Sequence, residues 1–225
     1  MVSMFSTSAL GWYFNWGTSA TSGLSGTFIY QQWGSDNLAN VAKLPTGSTL
    51  IGFNEPDGTG QATMSASQAA AYYKSNFTPL RKTGQIAYLG TPSITNGGGA
   101  AGITWLTAFM AACSDCEIDF VSAHWYGPSM SLLQSQMTAL HTAFGLPVWI
   151  TEMACTEWNA ANNPSASEIS SFMTSAMSWM ESQDWIAKYA WFGAMTISDA
   201  SLGSANSLVT SDGSALSSLG KQYLS

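Results

Sequence analysis

Leu50-Ile51-Gly52-Phe53-Asn54-Glu55-Pro56-Asp57 is a short apolar run that ends on a carboxylate and is closed by a proline. Proline has no backbone N–H to give to a sheet ladder, so a strand through Leu50–Asn54 must stop there. Glu55 is thereby placed at a strand's C-terminal end. Val148-Trp149-Ile150-Thr151-Glu152 repeats the arrangement further along the chain. Runs of the same kind occupy Leu10–Trp16, Thr27–Trp33, Ile86–Gly90, Phe120–Trp125 and Lys188–Gly193. They are apolar nearly throughout rather than alternating, as strands buried on both faces should be.

Helical segments separate these runs. Ser65-Ala66-Ser67-Gln68 and Ser165-Ala166-Ser167-Glu168 both fit a capping box, with a serine N-cap and an amide or acid three positions on. Leu132, Leu133, Met137 and Leu140 form an apolar stripe at helical spacing between Ser129 and Phe144, and Gly145 is placed to end it. A last helix is expected over Ala215–Leu224. Strands alternating with helices predict an α/β fold, a compact (β/α)8 TIM-type barrel in one domain over residues 1–225. Seven strands are evident. The eighth must precede Leu10, where Met1–Phe5 is the candidate, so the first strand is expected to be incomplete or irregular.

Composition narrows the partners. The chain is 46% hydrophobic and 8% charged, against about 25% charged in an average globular protein. It carries a net charge of −7 with six basic residues, and Arg81-Lys82 is an adjacent basic pair. A phosphate-binding surface needs clustered cations, so no nucleic acid partner is expected, nor an anionic membrane. No apolar run approaches the roughly 20 residues that span a bilayer. Ten Trp, eight Tyr and ten Phe beside so few charges suit a cleft that stacks on neutral, flat-faced ligands such as sugar rings. The protein is expected to be a monomer without a cofactor.

Cys113 and Cys116 stand in C-x-x-C spacing, with Cys155 remote. No second pair exists for zinc, so no metal is expected. A short-loop disulfide, or one bridge plus a free thiol, is expected instead, with the pairing left open. Residues 1–9 lack a basic region followed by an apolar core, and the chain is read as starting at a mature end. Asn76-Phe77-Thr78 is a glycosylation sequon.

With cations so scarce, Glu55 and Glu152 are hard to explain as salt-bridge partners. Two carboxylates at the C-terminal face of one barrel are what glycoside cleavage requires: one protonates the leaving oxygen and the other attacks the anomeric carbon or activates water. His124 and Tyr126 follow the strand that precedes Glu152's, and Tyr126 is placed to donate to Glu152. Trp16, Trp125 and Trp191 fall near strand ends as candidate sugar-stacking platforms. Glu157 lies on a loop at the expected cleft rim. Asp57 is expected to cap a turn rather than react.

Four blocks in order, Trp12-Tyr13-Phe14-Asn15-Trp16-Gly17, Gly52 to Asp57, His124-Trp125-Tyr126-Gly127 and Trp149-Ile150-Thr151-Glu152-Met153-Ala154-Cys155, resemble glycoside hydrolase family 128, the endo-β-1,3-glucanase-like catalytic core. Asn206-Ser207-Leu208 and Leu219-Gly220-Lys221 also look like that family. The resemblance covers the chain from about Leu10 and implies a secreted, cell-wall retaining endo-β-1,3-glucanase. It makes Glu55 the acid/base, Glu152 the nucleophile, and Asn54 a hydrogen-bond partner of the sugar hydroxyl beside the anomeric carbon. The family's N-terminal Gly-Leu-Ala-Trp strand is not found here, which leaves closure of the barrel in doubt. The family also includes members that bind β-1,3-glucan with little hydrolysis, so a glucan-binding protein stands as the rival reading; a structural wall protein ranks below both.

Overall fold

The structure, a computed structural model, describes residues 2–5 and 10–225, with backbone alone for residues 2–3. Eight β-segments occur in chain order: β1 Trp12–Tyr13, β2 Thr27–Phe28, β3 Tyr30–Gln31, β4 Ser48–Ile51, β5 Ile86–Ile94, β6 Phe120–Tyr126, β7 Val148–Ala154 and β8 Ile186–Tyr189. Segments β2 and β3 are one run broken at Ile29, so seven strand positions result. Each pairs in parallel with the next, β1 with β2 and then β3 through β8 in sequence order. The result is an α/β barrel whose helices α1 Ala66–Tyr72, α2 Thr78–Lys82, α3 Ile103–Ala112, α4 Met130–Phe144, α5 Ala166–Glu181 and α6 Ser218–Tyr223 fill the crossovers and the end.

The sequence signals for the helices act as their chemistry requires. Ser65 and Ser165 form reciprocal capping boxes with Gln68 and Glu168, and Ser129 caps α4. Gly145 ends α4 at φ 64, a left-handed conformation that costs glycine least. Leu133, Met137 and Leu140 are fully buried, but Leu132, expected on the same stripe, is 61% exposed, because it is one residue, about 100°, round the helix from Leu133. A five-residue π-helix, Tyr73–Phe77, joins α1 to α2. It contains Asn76, whose side-chain amide donates to Tyr72 O.

Three expectations need correction. Val2–Phe5 is a 3-10 turn, not the eighth strand; Phe5 buries its ring in the core instead, and Met1 lies outside the described residues. Strand β5 runs past Gly90 to Ile94, because Pro92 sits where the register to β6 shifts between Gly90 and Ser93 and no ladder hydrogen bond is asked of it. Strand β8 stops at Tyr189 rather than reaching Gly193. Among the described residues, β1 and β8 are not paired with each other, so the barrel is irregular at the side where its first strand was in doubt. Cys113 and Cys116 form the disulfide, and Cys155 is free and buried.

Candidate active site

The fold brings Glu55 and Glu152 to the same end of the barrel. Glu55 follows β4, and Glu152 lies near the end of β7 as the register partner of His124 on β6. That register shifts between Ala123 and His124, a local irregularity of the kind that re-aims side chains at barrel rims. One oxygen of each carboxylate and one ring nitrogen of His124 all lie within 4.8 Å of one another. These are donor types that a divalent cation also accepts; here the His124 ring is hydrogen-bonded to Glu55 and lies 3.4 Å from Glu152.

Glu55 is held in an unusual backbone conformation. Its φ is 45°, although a residue before proline favours the extended region. Two hydrogen bonds over-determine it: its N–H donates to Ser93 O (2.7 Å), and its C=O accepts from Gly58 N (2.9 Å). Asp57 fixes the same turn from outside, accepting from Thr95 N, Thr95 Oγ1 and Gly102 N. Its expected turn-capping role thus spans the loops after β4 and β5. Left-handed non-glycine backbone persists where surrounding structure enforces it, and such sites cluster at functional centres.

Both oxygens of Glu152 accept a hydrogen bond. Trp16 Nε1–H donates to Oε1 at 2.6 Å, and Tyr126 O–H donates to Oε2 at 2.6 Å. Glu152 is 6% exposed, so this carboxylate is fixed in direction with little freedom to turn. His124 Nδ1 lies 2.7 Å from Glu55 Oε1 and 3.4 Å from Glu152 Oε2. Burial would lower the pKa of this fully buried histidine. The charges of Glu152 and Glu55 and the hydrogen bond to Glu55 outweigh that and raise it. Burial first, and then the Glu152 charge, push the Tyr126 hydroxyl well above its usual value, so it remains a donor.

Beneath the carboxylates lies a buried layer of hydroxyls from three adjacent strands. Ser122 Oγ is 2.7 Å from Ser93 Oγ and 3.0 Å from Thr151 Oγ1. Asn54 bridges to Ser93 and borders the cleft, its carboxamide accepting from Gln31 and donating to Gln61. Asn206 clamps the end of β7 by bonding both N–H and C=O of Cys155.

The carboxylates open into a cleft of about 500 Å³. Trp16, Asn54 and Tyr126 line it, as the sequence indicated, together with Trp33, Gln61, Trp158 and a loop through Met195–Leu202 that sequence reasoning did not single out. An adjoining apolar cavity of about 260 Å³ shares Trp16, Glu152 and Phe192 and reaches between β1 and β8. Two expected platforms are elsewhere. Trp125 is 3% and Trp191 4% exposed, and their indole N–H groups are satisfied by Gly127 O and Asn206 O. Both are packing residues, because a stacking ring needs an open face. Glu157 is exposed and is not part of the cleft wall. The signal for Trp33 and Trp158 was present as tryptophan beyond a strand end; their exposure, 42% and 51%, was not readable.

Comparison with known proteins agrees with this architecture. The family model described as Glycosyl hydrolase catalytic core matches residues 2–223. Alkali-sensitive linkage protein 1 of Schizosaccharomyces pombe is 43% identical over 225 residues, covering 98% of this chain and 41% of that protein, so the chain spans less than half of this relative's length. Among solved structures, a subgroup II GH128 endo-β-1,3-glucanase from Sorangium cellulosum has a TM-score of 0.79 at 28% identity, covering 97% of this chain and 91% of its own. A subgroup I GH128 endo-β-1,3-glucanase from Amycolatopsis mediterranei in complex with laminaritriose has a TM-score of 0.75 at 31% identity, covering 95% and 89%.

Proposed function

Because the chain belongs to the glycosyl hydrolase catalytic core family, within glycoside hydrolase family 128, we propose that it is a retaining endo-β-1,3-glucanase with Glu55 as acid/base and Glu152 as nucleophile. The observation that carries this reading is the pair of carboxylates facing one cleft with oxygens within 4.8 Å. Double displacement requires carboxyl groups roughly 5–5.5 Å apart, whereas inversion needs about 6.5–9.5 Å to admit a water.

In the first step Glu152 attacks the anomeric carbon while Glu55 protonates the departing glycosidic oxygen. The glycosyl–Glu152 ester forms as the glycosidic bond breaks. In the second step Glu55 takes a proton from water, whose oxygen attacks the same carbon and releases Glu152. The donors Trp16 and Tyr126 aim Glu152, leaving it one approach direction. His124, bonded to Glu55, is a local proton partner for the group that must alternate between acid and base. Asn54, on the cleft wall beside Glu55, is placed to bond the hydroxyl next to the reacting carbon.

The substrate proposed is β-1,3-glucan, supported by relatives crystallised with laminari-oligosaccharides and by a cleft whose lining includes no lysine or arginine. We further propose action outside the cell, at a cell wall; the Cys113–Cys116 bridge fits an oxidising compartment. A second reading is a β-1,3-glucan-binding protein with little hydrolysis, supported by two half-exposed tryptophans, Trp33 and Trp158, in the cleft.

Reducing-end release from laminarin separates the two. The hydrolase reading expects release by the native chain, and a fall of about 10²–10⁴-fold in Glu55→Gln, with Glu152→Gln at least as severely impaired. Equal, negligible release by all three, with laminarin binding retained, would replace the hydrolase by the binding protein.

A further inference from the structure

Five non-glycine residues among those described have a left-handed φ, and three of them, Trp16, Glu55 and Trp158, line the same cleft. The first two are accounted for: Trp16 donates to Glu152, and Glu55 is itself one of the carboxylates. Trp158 is not. Its φ is 55°, a conformation that a bulky side chain adopts only under constraint. The constraint is visible. Trp158 N–H donates to Thr156 Oγ1. Asn163 accepts from Glu157 N and donates to Ala200 O and Ser201 O, tying this loop to the one after β8.

The outcome of that construction is an indole left half in water. Trp158 is 51% exposed and packs against one ring, Tyr126, with centroids 5.0 Å apart. Tyr126 in turn donates to Glu152, so the exposed indole stands beside the proposed nucleophile. Trp33, the other exposed tryptophan of the cleft, follows β3, next to the strand that carries Glu55. Each carboxylate thus has an open aromatic face nearby, Trp33 after the strand beside the one that leads to Glu55 and Trp158 after the strand that carries Glu152. With no cation in the lining, the matching ligand is neutral and flat on one side.

We infer that Trp158 is a specificity-determining residue that stacks on a pyranose ring of β-1,3-glucan on the Glu152 side of the cleft. The inference rests on the glucan reading above and adds to it the residue that sets affinity there. Its strained backbone holds the ring out for substrate rather than for the fold.

The test is calorimetric titration of laminaripentaose into Glu152→Gln, where turnover does not intrude, alone and combined with Trp158→Ala, Trp158→Gly or Trp158→Phe. Loss of the indole in W158A and W158G is expected to weaken binding about tenfold, more than truncation of most contact residues does, while W158F retains most of the affinity. W158G also relieves the left-handed backbone, so its melting temperature should equal or exceed the parent's. Unchanged affinity in W158A and W158G would overturn the inference, as would a W158G that melts lower and binds as the parent does. If folded Glu152→Gln itself binds no laminaripentaose, the glucan reading fails, and this inference with it. That result is distinct from a Trp158 effect that is absent while the parent binds.

Discussion

His124 Nδ1 lies 2.7 Å from Glu55 Oε1, although the two residues belong to strand ends separated by β5 in the sheet. At that end β5 carries a small side chain: Ser93, which pairs with Ser122 just before His124, contributes a hydroxyl instead of a bulky group. A buried imidazole is thereby set between two carboxylates, and its titration becomes part of the site.

That placement predicts a pH signature. A histidine whose pKa is raised by folding adds stability that is fully present below its unfolded pKa of about 6.5 and is lost as pH rises through the higher folded value. Melting temperature should therefore decline over a window that opens near pH 6.5 and extends upward, and Asn at position 124 should flatten it. A decline of the same slope in His124→Asn would assign the dependence to another group.

Tyr126→Phe removes the hydroxyl from Glu152 Oε2 and leaves the ring in place. A hydrogen bond to a charged group contributes about 1.5–3 kcal/mol, so kcat on laminarin should fall about 10–100-fold. A change below twofold would mean that Trp16 alone suffices to orient the carboxylate.

Gly52 allows two elements to meet. A Cβ there would fall 1.6 Å from the Tyr73 hydroxyl, which reaches past it to donate to Gly90 O. Gly52→Ala must displace Tyr73 or the strand, at a cost of about 1–3 kcal/mol or more. Denaturant titration should show a lower midpoint; an unchanged midpoint would contradict the packing described.

Reduction of Cys113–Cys116 should lower stability without unfolding the chain. The bridge closes a loop of sequence separation 3, for which chain entropy gives about 2 kcal/mol. In a chain of this length that corresponds to a fall of roughly 4–8 °C in melting temperature. Unfolding at room temperature on reduction alone would show a larger structural role.

The sequence made some of this legible and hid the rest for identifiable reasons. Glu55 was readable because an apolar run followed by a carboxylate and a proline fixes a strand's end without knowledge of its neighbours; at Glu152 the same pattern marked the right strand but not its end, since β7 runs on to Ala154 in register with Tyr126. Helix caps at Ser65, Ser129 and Ser165 were readable for the same local reason. Side-chain direction was not. Trp125 and Trp16 both sit near strand ends, yet one packs inward while the other meets Glu152, because the register shifts at Ala123/His124 and the turn at Trp16 decide which way each ring points. The hydroxyl layer of Ser93, Ser122 and Thr151 needs three strands in register to exist at all. Trp33, Trp158 and the Met195–Leu202 loop depend on loop conformation, which carries no periodicity to read.

Two displacements at one carbon, the first by Glu152 and the second by water, leave the configuration of that carbon unchanged. Proton NMR of the first product released from a laminari-oligosaccharide, recorded before mutarotation, reads that configuration. The native chain is expected to form the β-anomer at the new reducing end, and Glu152→Gln to lose it. Initial release of the α-anomer would mean a single displacement by water and would remove Glu152 as nucleophile.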